Sequence, residues 1–199
     1  MKLLDLGTKD YKETLNIQYE LIEKIAKKEV ENTLILVEHP HVITLGRKGK
    51  DSDILDPSIP NYKIERGGEV TYHGFGQIVG YPIINCQEKK DINKFLRDLE
   101  EVIIITLASY NIFSERKEKH TGVWIKDKKI ASIGVSFKNW VSYHGFALNV
   151  STDLSYFFKI NPCGLDSSVM TSMEQISSRT FLLNNIKKEL FQNTQLFFQ

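Results

Sequence analysis

The sequence predicts an α+β domain, in the mixed α/β sense, and three observations carry that expectation. Two long stretches show helical periodicity and lie on either side of short β-rich runs. From residue 122 the pattern changes to period two. A short amphipathic stretch then closes the chain.

The first helix is predicted over 11–30, where Tyr11, Leu15, Tyr19, Ile22, Ala26 and Val30 recur at steps of four and three, with charges on the outer face. "TLILVEH" (33–39) is short, apolar and β-branched, and stops at Pro40, so it reads as a buried strand. "HVITLG" (41–46) reads as a second extended piece ended by glycine. Asp91 is a natural N-cap for a second helix over 91–111, in which Ile92, Phe95, Leu99, Val102 and Thr106 mark one face. "GVWIKDKKIASIGVSF" then reads as strand, tight turn at Asp127–Lys128, strand. "WVSYHGFALNV" adds a third strand, and "TFLLNNIKKELFQ" a last short helix. No repeat, low-complexity linker or composition shift divides the chain, so residues 1–199 are expected to form one domain.

Composition narrows the function classes. The chain has 199 residues, 41% hydrophobic and 26% charged, which suits a soluble globular protein with a sizeable core. Its net charge of +1 argues against bulk nucleic-acid binding. Short basic clusters remain in "GRKGK" and "KDKK". Two cysteines, Cys86 and Cys163, give neither a disulfide framework nor metal-ligand spacing, and a reducing compartment is expected. The N-terminus turns charged within five residues, unlike a signal peptide, and no run approaches a membrane span. A cytoplasmic protein without a membrane or nucleic-acid partner is the expectation.

Three segments offer chemistry. "ERGGEVTYHGFGQIVGYPI" (65–83) holds five glycines with Arg66, His73 and Gln77. Glycines let backbone approach a ligand closely, but the spacing does not fit a phosphate loop, and a bend between two strands is the plain alternative. Lys129 opens the strand "KKIASIG". Solvated, it is unremarkable; turned inward, it is a positive charge able to favour a neighbouring thiolate. His144, in "SYHGFALNV", is either a structural histidine or a site neighbour. Cys163 stands between Pro162 and Gly164 in "INPCG", where a small core residue or a reactive thiol would both make sense.

Taken together and in order, "RGGEVTYHGFGQIVGYPI", "GVWIKDKKIASIGVSFKNWVSYHGFALNV", "INPCG" and "TSM" (171–173) resemble the lipoyl(octanoyl) transferases. "LVEHPHVITLGRKG" resembles the strand and loop that open the same family's domain, so the likeness runs from about 34 to 173. One position departs from the family pattern: Phe75 stands where proline is usual, leaving the loop freer and adding an apolar group for which the acyl channel is a candidate location.

The resemblance implies the catalytic-domain fold shared by biotin and lipoate protein ligases, a mixed and mostly antiparallel sheet with packed helices. It implies Cys163 as the acyl-accepting nucleophile and Lys129 as the group that lowers its pKa. It also implies a substrate site formed by Arg66, Gly67, Gly68, Glu69, Val70, Thr71, Tyr72 and His73, by Ser132, Ile133 and Gly134, and by Gly145, Phe146 and Ala147, with His144 in support. The implied reaction moves an octanoyl group from acyl carrier protein, through a cysteine thioester, to a specific lysine of a lipoyl domain. Lipoyl domains of 2-oxoacid dehydrogenase complexes and the glycine cleavage H protein are the implied acceptors. No ATP, metal or other cofactor is expected, because trading a thioester for an amide runs downhill. Arg47, Lys48, Lys50, Lys126 and Lys128 are candidates for steering such acidic partners. An ATP-dependent lipoate or octanoate ligase on the same fold, and a non-catalytic binder of acyl groups or lipoyl domains, are the alternatives. "NPCG" together with Lys129 favours the transferase.

Overall fold

The computed structural model describes residues 1–118, 120–161 and 167–198. Its strands are β1 (Lys2–Thr8), β2 (Thr33–Glu38), β3 (Val42–Leu45), β4 (Asn61–Lys63), β5 (Val70–His73), β6 (Gln77–Ile83), β7 (Glu115–Lys117), β8 (His120–Ile125), β9 (Lys128–Lys138) and β10 (Val141–Asn149). The α-helices are α1 (Tyr11–Ala26), α2 (Ile92–Ser109), α3 (Met173–Ser177) and α4 (Leu183–Phe197).

Seven strands form the main sheet in the order β1-β2-β6-β10-β9-β8-β7. Only the β1–β2 pair is parallel; β2–β6, β6–β10, β10–β9, β9–β8 and β8–β7 are antiparallel. A second sheet of three strands, β4-β3-β5, stands beside it. This is the mixed, mostly antiparallel architecture expected from the sequence.

Side-chain alternation decides which helix covers which face. In β2, Leu34 and Leu36 join a cluster with Phe95, Leu99, Val102 and Ile103 of α2 and Ile186 and Leu190 of α4. Ile35 and Val37 point the other way and pack with Ile22 and Ile25 of α1. The sheet is therefore covered on both faces, which is why β2 and β10 are buried along almost their whole length. Helix α2 begins as its sequence predicts: the Asp91 side chain accepts the Lys94 N–H at 2.9 Å.

Four boundaries differ from expectation. Helix α1 stops at Ala26 instead of reaching Val30, because its packing against the core ends there; Lys28 takes φ +60° and Val30 is exposed. The turn between β8 and β9 centres on Lys126–Asp127, one residue early, with Lys126 at φ +53°. The last helix spans 183–197, not 180–192, since the run Leu190, Thr194 continues its buried stripe. Strand β1 has no counterpart in the sequence reading; it is a largely exposed edge strand whose alternation is weak.

Candidate active site

Strand β9 places the central group. Lys129 is half-buried, not solvated, and its Nζ lies 5.5 Å from the Trp124 ring centroid on the neighbouring strand. A glycine makes this possible. A Cβ at Gly122 would stand 2.7 Å from Lys129 Cε and 2.6 Å from the Ala131 carbonyl oxygen, and Gly122 has φ +133°. Its N–H donates to Oε1 of the fully buried Glu100 at 3.0 Å. The β9–β10 ladder ends at Ala131↔Leu148, and beyond it Lys129 bridges Met170 while its carbonyl accepts the Thr171 N–H at 3.0 Å.

Lys129 lies on the wall of a cavity of about 410 Å³. The other walls come from Gly67–Thr71, Ser132–Val135, the start of α2 (Ile92 and Leu96), and Phe157, Val169 and Met170. Arg47 and Lys48 add positive charge to that lining. The 66–69 loop is fixed from both sides. The Arg47 and Lys48 N–H groups donate to the Arg66 and Gly68 carbonyls, and the Gly67 N–H donates to Val135 O. Arg66 itself holds the loop: its Nη1 donates to Gly67 O at 2.8 Å and its Nη2 to Glu69 O at 2.7 Å and Thr44 O at 3.2 Å. Gly134 leaves room for that side chain, since a Cβ there would come within 2.9 Å of Arg66 Cγ and Cδ.

Behind Arg66, Thr71 and Ser132–Gly134 lies a second, inner cavity of about 30 Å³. Its remaining walls include Tyr11, His73, Tyr81, His144 and Gly145–Ala147. His73 is held neutral, its pKa pushed down to about 3 chiefly by burial. Its Nδ1 donates to Gln77 Oε1 at 2.8 Å, leaving Nε2 as acceptor towards Thr44 Oγ1 at 3.5 Å. Gln77 Nε2 donates to Asn149 Oδ1, and Asn149 Nδ2 to Thr171 O, so a polar chain links His73 to the residue beside Lys129's partner. His144 is likewise pushed down to about 3, first by burial and then by the Arg66 charge. Neither histidine is poised as a base near neutral pH.

These two cavities bring together most of the residues singled out from the sequence. Gly67, Gly68, Glu69 and Val70 line the outer one, His73, Gly145, Phe146 and Ala147 the inner one, and Arg66, Thr71, Ser132, Ile133 and Gly134 both. Tyr72 sits apart: its Oη meets His41 Nδ1 at 2.6 Å within a ring stack with Tyr156. Phe75 lines neither cavity. It is half-exposed and sets its ring edge-on to His41 at 5.1 Å, because residues 74–76 form a turn at the surface. Cys163, with Pro162 and Gly164, lies outside the described residues; the residues flanking them are tied down. The Asn161 N–H donates to Asp53 O, and Lys128 Nζ donates to Ser168 O. Cys86, by contrast, is mostly buried, with burial pushing its thiol up to about 11.

The lipoyl protein ligase A/B catalytic domain model matches residues 10–195. The chain belongs to that family. Among its relatives, the octanoyltransferase of Syntrophotalea carbinolica is 43% identical over 196 residues, covering 98% of this chain and 93% of that protein. The octanoyltransferase of Solibacter usitatus is 48% identical over 188 residues, covering 90% and 85%. In three dimensions the chain is similar to lipoate-protein ligase A bound with ATP, with a TM-score of 0.76 and 14% identity over 98% of this chain and 84% of that one. It also resembles a structure from the archaeal lipoylation system of Thermoplasma acidophilum, described as a bipartite lipoate protein ligase and its E2 lipoyl domain (TM-score 0.73, 16% identity, 98% and 82% covered). At such low identity these two likenesses show the fold.

Within this family domain, two contributors escape a reading of sequence alone. Tyr11 is legible only as one position of a helical stripe, and Gly122 only as the end of a strand. The signal for Gly122 was available: a glycine one residue before a buried Val-Trp pair marks close approach by a neighbour. Among the described residues, no cluster of His, Cys, Asp and Glu is arranged to hold a metal ion. No helix of the described residues is long and apolar enough to cross a membrane.

Proposed function

We propose that this chain transfers an octanoyl group from acyl carrier protein to lipoyl domains through a thioester on Cys163, with Lys129 favouring the thiolate. Octanoyl transfer in protein lipoylation is its activity, as in the octanoyltransferases it matches at 40–48% identity. The supporting observation for the proposed mechanism is the inward Lys129. Its ammonium stands in a protein wall at the outer cavity, and the chain that follows the cysteine segment runs beside it through Met170 and Thr171. A positive charge in such a place raises the thiolate fraction of a nearby cysteine, which for an ordinary thiol of pKa about 8.5 is only a few per cent at neutral pH.

In the first step the Cys163 thiolate attacks the acyl carbonyl, its C–S bond forms, and the phosphopantetheine thiolate leaves and is protonated. In the second, the acceptor lysine amine attacks that thioester, loses a proton, and expels the Cys163 sulfur as the amide forms. Lys129 is, in this reading, the carrier of that proton in both directions. Neither step consumes ATP or needs a metal. The acceptors are lipoyl domains of 2-oxoacid dehydrogenase complexes and the H protein, all acidic partners, met by Arg47 and Lys48 on the lining of the outer cavity. The ligase reading has behind it the family model's description and fold likenesses at 14% identity, whereas the octanoyltransferases match at 43% identity over 98% of the chain.

Mixing the protein with octanoyl-acyl carrier protein and no ATP, then weighing it intact, tests this. One octanoyl group on the wild type and none on Cys163→Ser is expected. Labelling of Cys86, or undiminished transfer by the serine variant, would sink the mechanism.

A further inference from the structure

Beside Lys129 the main sheet changes partner. On one edge of β9, Lys129 is paired with Trp124 of β8; on the other, the β10 ladder ends at Ala131↔Leu148. The edge that β10 gives up is taken by the chain that follows the cysteine segment. Met170 bridges Lys129 in parallel, and the Thr171 N–H donates to Lys129 O at 3.0 Å. That bridge is isolated, not part of a ladder, so side chains must hold its register.

Asn149 does so from the end of β10. Its Nδ2 donates to Thr171 O at 3.0 Å, so Thr171 is held at its N–H by Lys129 and at its C=O by Asn149. Gln77, the residue directly opposite Asn149 in the β6–β10 ladder, orients that amide. Its Nε2 donates to Asn149 Oδ1 at 2.9 Å, while its Oε1 accepts from His73 Nδ1 at 2.8 Å. Gln77, Asn149 and Thr171 are each 1% exposed. An amide carries its donor and acceptor on different arms, so the three bonds run in one direction and each fixes the next. Buried and fully satisfied, such a chain specifies one arrangement, because turning either amide over sets oxygen against oxygen.

We propose that Asn149, oriented by Gln77, is a positioning residue for octanoyl transfer: it fixes residues 170–171 against Lys129 and so sets how Lys129 and Cys163 align. His73 is the far anchor of the same chain. The inference rests on the Lys129–Cys163 reading and adds to it two residues that line neither cavity.

Two substitutions in the whole chain test it. Asn149→Leu keeps the branched shape and removes the donor to Thr171; Gln77→Met keeps the length and leaves the Asn149 amide unoriented. In folded Asn149→Leu, kcat for octanoyl transfer should fall by about tenfold or more, with KM for octanoyl-acyl carrier protein within about twofold of wild type, since alignment is lost and the cavity walls are not. The pH midpoint of Cys163 alkylation should rise towards that of Lys129→Ala, which lost stability alone would not produce. Gln77→Met should shift both quantities the same way, and the double variant should be no worse than Asn149→Leu, because Gln77 acts through Asn149. A folded Asn149→Leu with wild-type kcat and midpoint overturns the inference, as does a double variant whose losses multiply. If Lys129→Ala itself leaves the midpoint unmoved, the Lys129 reading fails first and takes this one with it. The wild type supplies a check that needs no variant to fold: the Thr171 N–H should resist hydrogen exchange as long as the β10 amides do. Exchange at the rate of an exposed loop would show a junction that opens freely, and would overturn the clamp.

Discussion

Gly122→Ala is the sharpest perturbation the site offers, because it touches Lys129 without changing any ionisable group. The added Cβ would lie 2.7 Å from Lys129 Cε and 2.6 Å from Ala131 O, both inside the closest distances such atoms adopt. At φ +133° the backbone also resists a side chain, at a cost of about 1–3 kcal/mol. For a chain of this size each kcal/mol lowers Tm by about 2–4 °C. The clash with a carbonyl cannot be relieved by a rotamer, whereas the lysine stem can swing. The ammonium therefore moves, and a displacement of about 1 Å at a reacting centre costs on the order of 100-fold. Single-turnover octanoyl transfer should fall by about that factor at a temperature where the variant is fully folded. A double-mutant cycle with Lys129→Ala isolates the cause. In the alanine background the destabilisation from Ala131 should persist, while the rate penalty of Gly122→Ala should largely disappear. An equal rate penalty in both backgrounds would show that Gly122 does not act through Lys129.

Four further outcomes follow from the same geometry. Lys129→Ala should move the pH midpoint of Cys163 alkylation upward, while Lys129→Arg should keep part of the thiolate yet slow amide formation, since guanidinium does not exchange a proton near neutrality; an unmoved midpoint in the alanine variant would remove Lys129 from thiol activation. Transfer from acyl carrier protein should slow as salt rises, and charge removal at Arg47, Lys48, Lys50, Lys126 and Lys128 should flatten that dependence; a rate indifferent to ionic strength would argue against steering. Glu100→Gln should cost about 1–3 kcal/mol, read by urea unfolding, because a buried carboxylate held by Arg97, Arg116 and the Gly122 N–H loses its charge; an unchanged midpoint would contradict that accounting. His39, His73 and His144 are buried neutral, at about 4, 3 and 3. Their folded values lie below the unfolded 6.5, so the unfolded chain binds the extra protons. Stability present above pH 6.5 should then be lost as pH falls towards 4, by up to about 1.4 kcal/mol per unit for each histidine. A flat urea midpoint between pH 6.5 and 5 would refute it.

Much of the scaffold is legible in the residues because its signals are local. Asp91 before a four-three stripe specifies the start of α2, and the alternation in "TLILV" specifies a strand covered on both faces. Strand β1 is not legible, since an edge strand with exposed side chains carries little period-two contrast. At the site, the residue types are legible and their directions are not. Nothing local distinguishes an inward Lys129 from a solvated one; its direction is decided by the missing Cβ of Gly122 and by Trp124, both on another strand. The same holds for Tyr11, whose partners Tyr62, His73 and His39 come from three separate segments. Phe75 shows the converse: an apolar residue in a glycine-rich motif suggests a lining role, while the turn it occupies sends it outward.

Strand β9 carries Lys129 at one end and the Ser132–Gly134 wall three to five residues further on, paired to β8 and β10 over most of its length. Charge and cavity wall are thus spaced by one continuous run of backbone, like two marks on a single bar. Substitutions along it can retune either mark alone. A single inserted residue between 129 and 132 cannot: it would turn every side chain on one side of the insertion to the opposite face. For anyone reshaping these cavities, the other lining residues and the 66–69 loop are the adjustable parts. The count of residues in this strand is not.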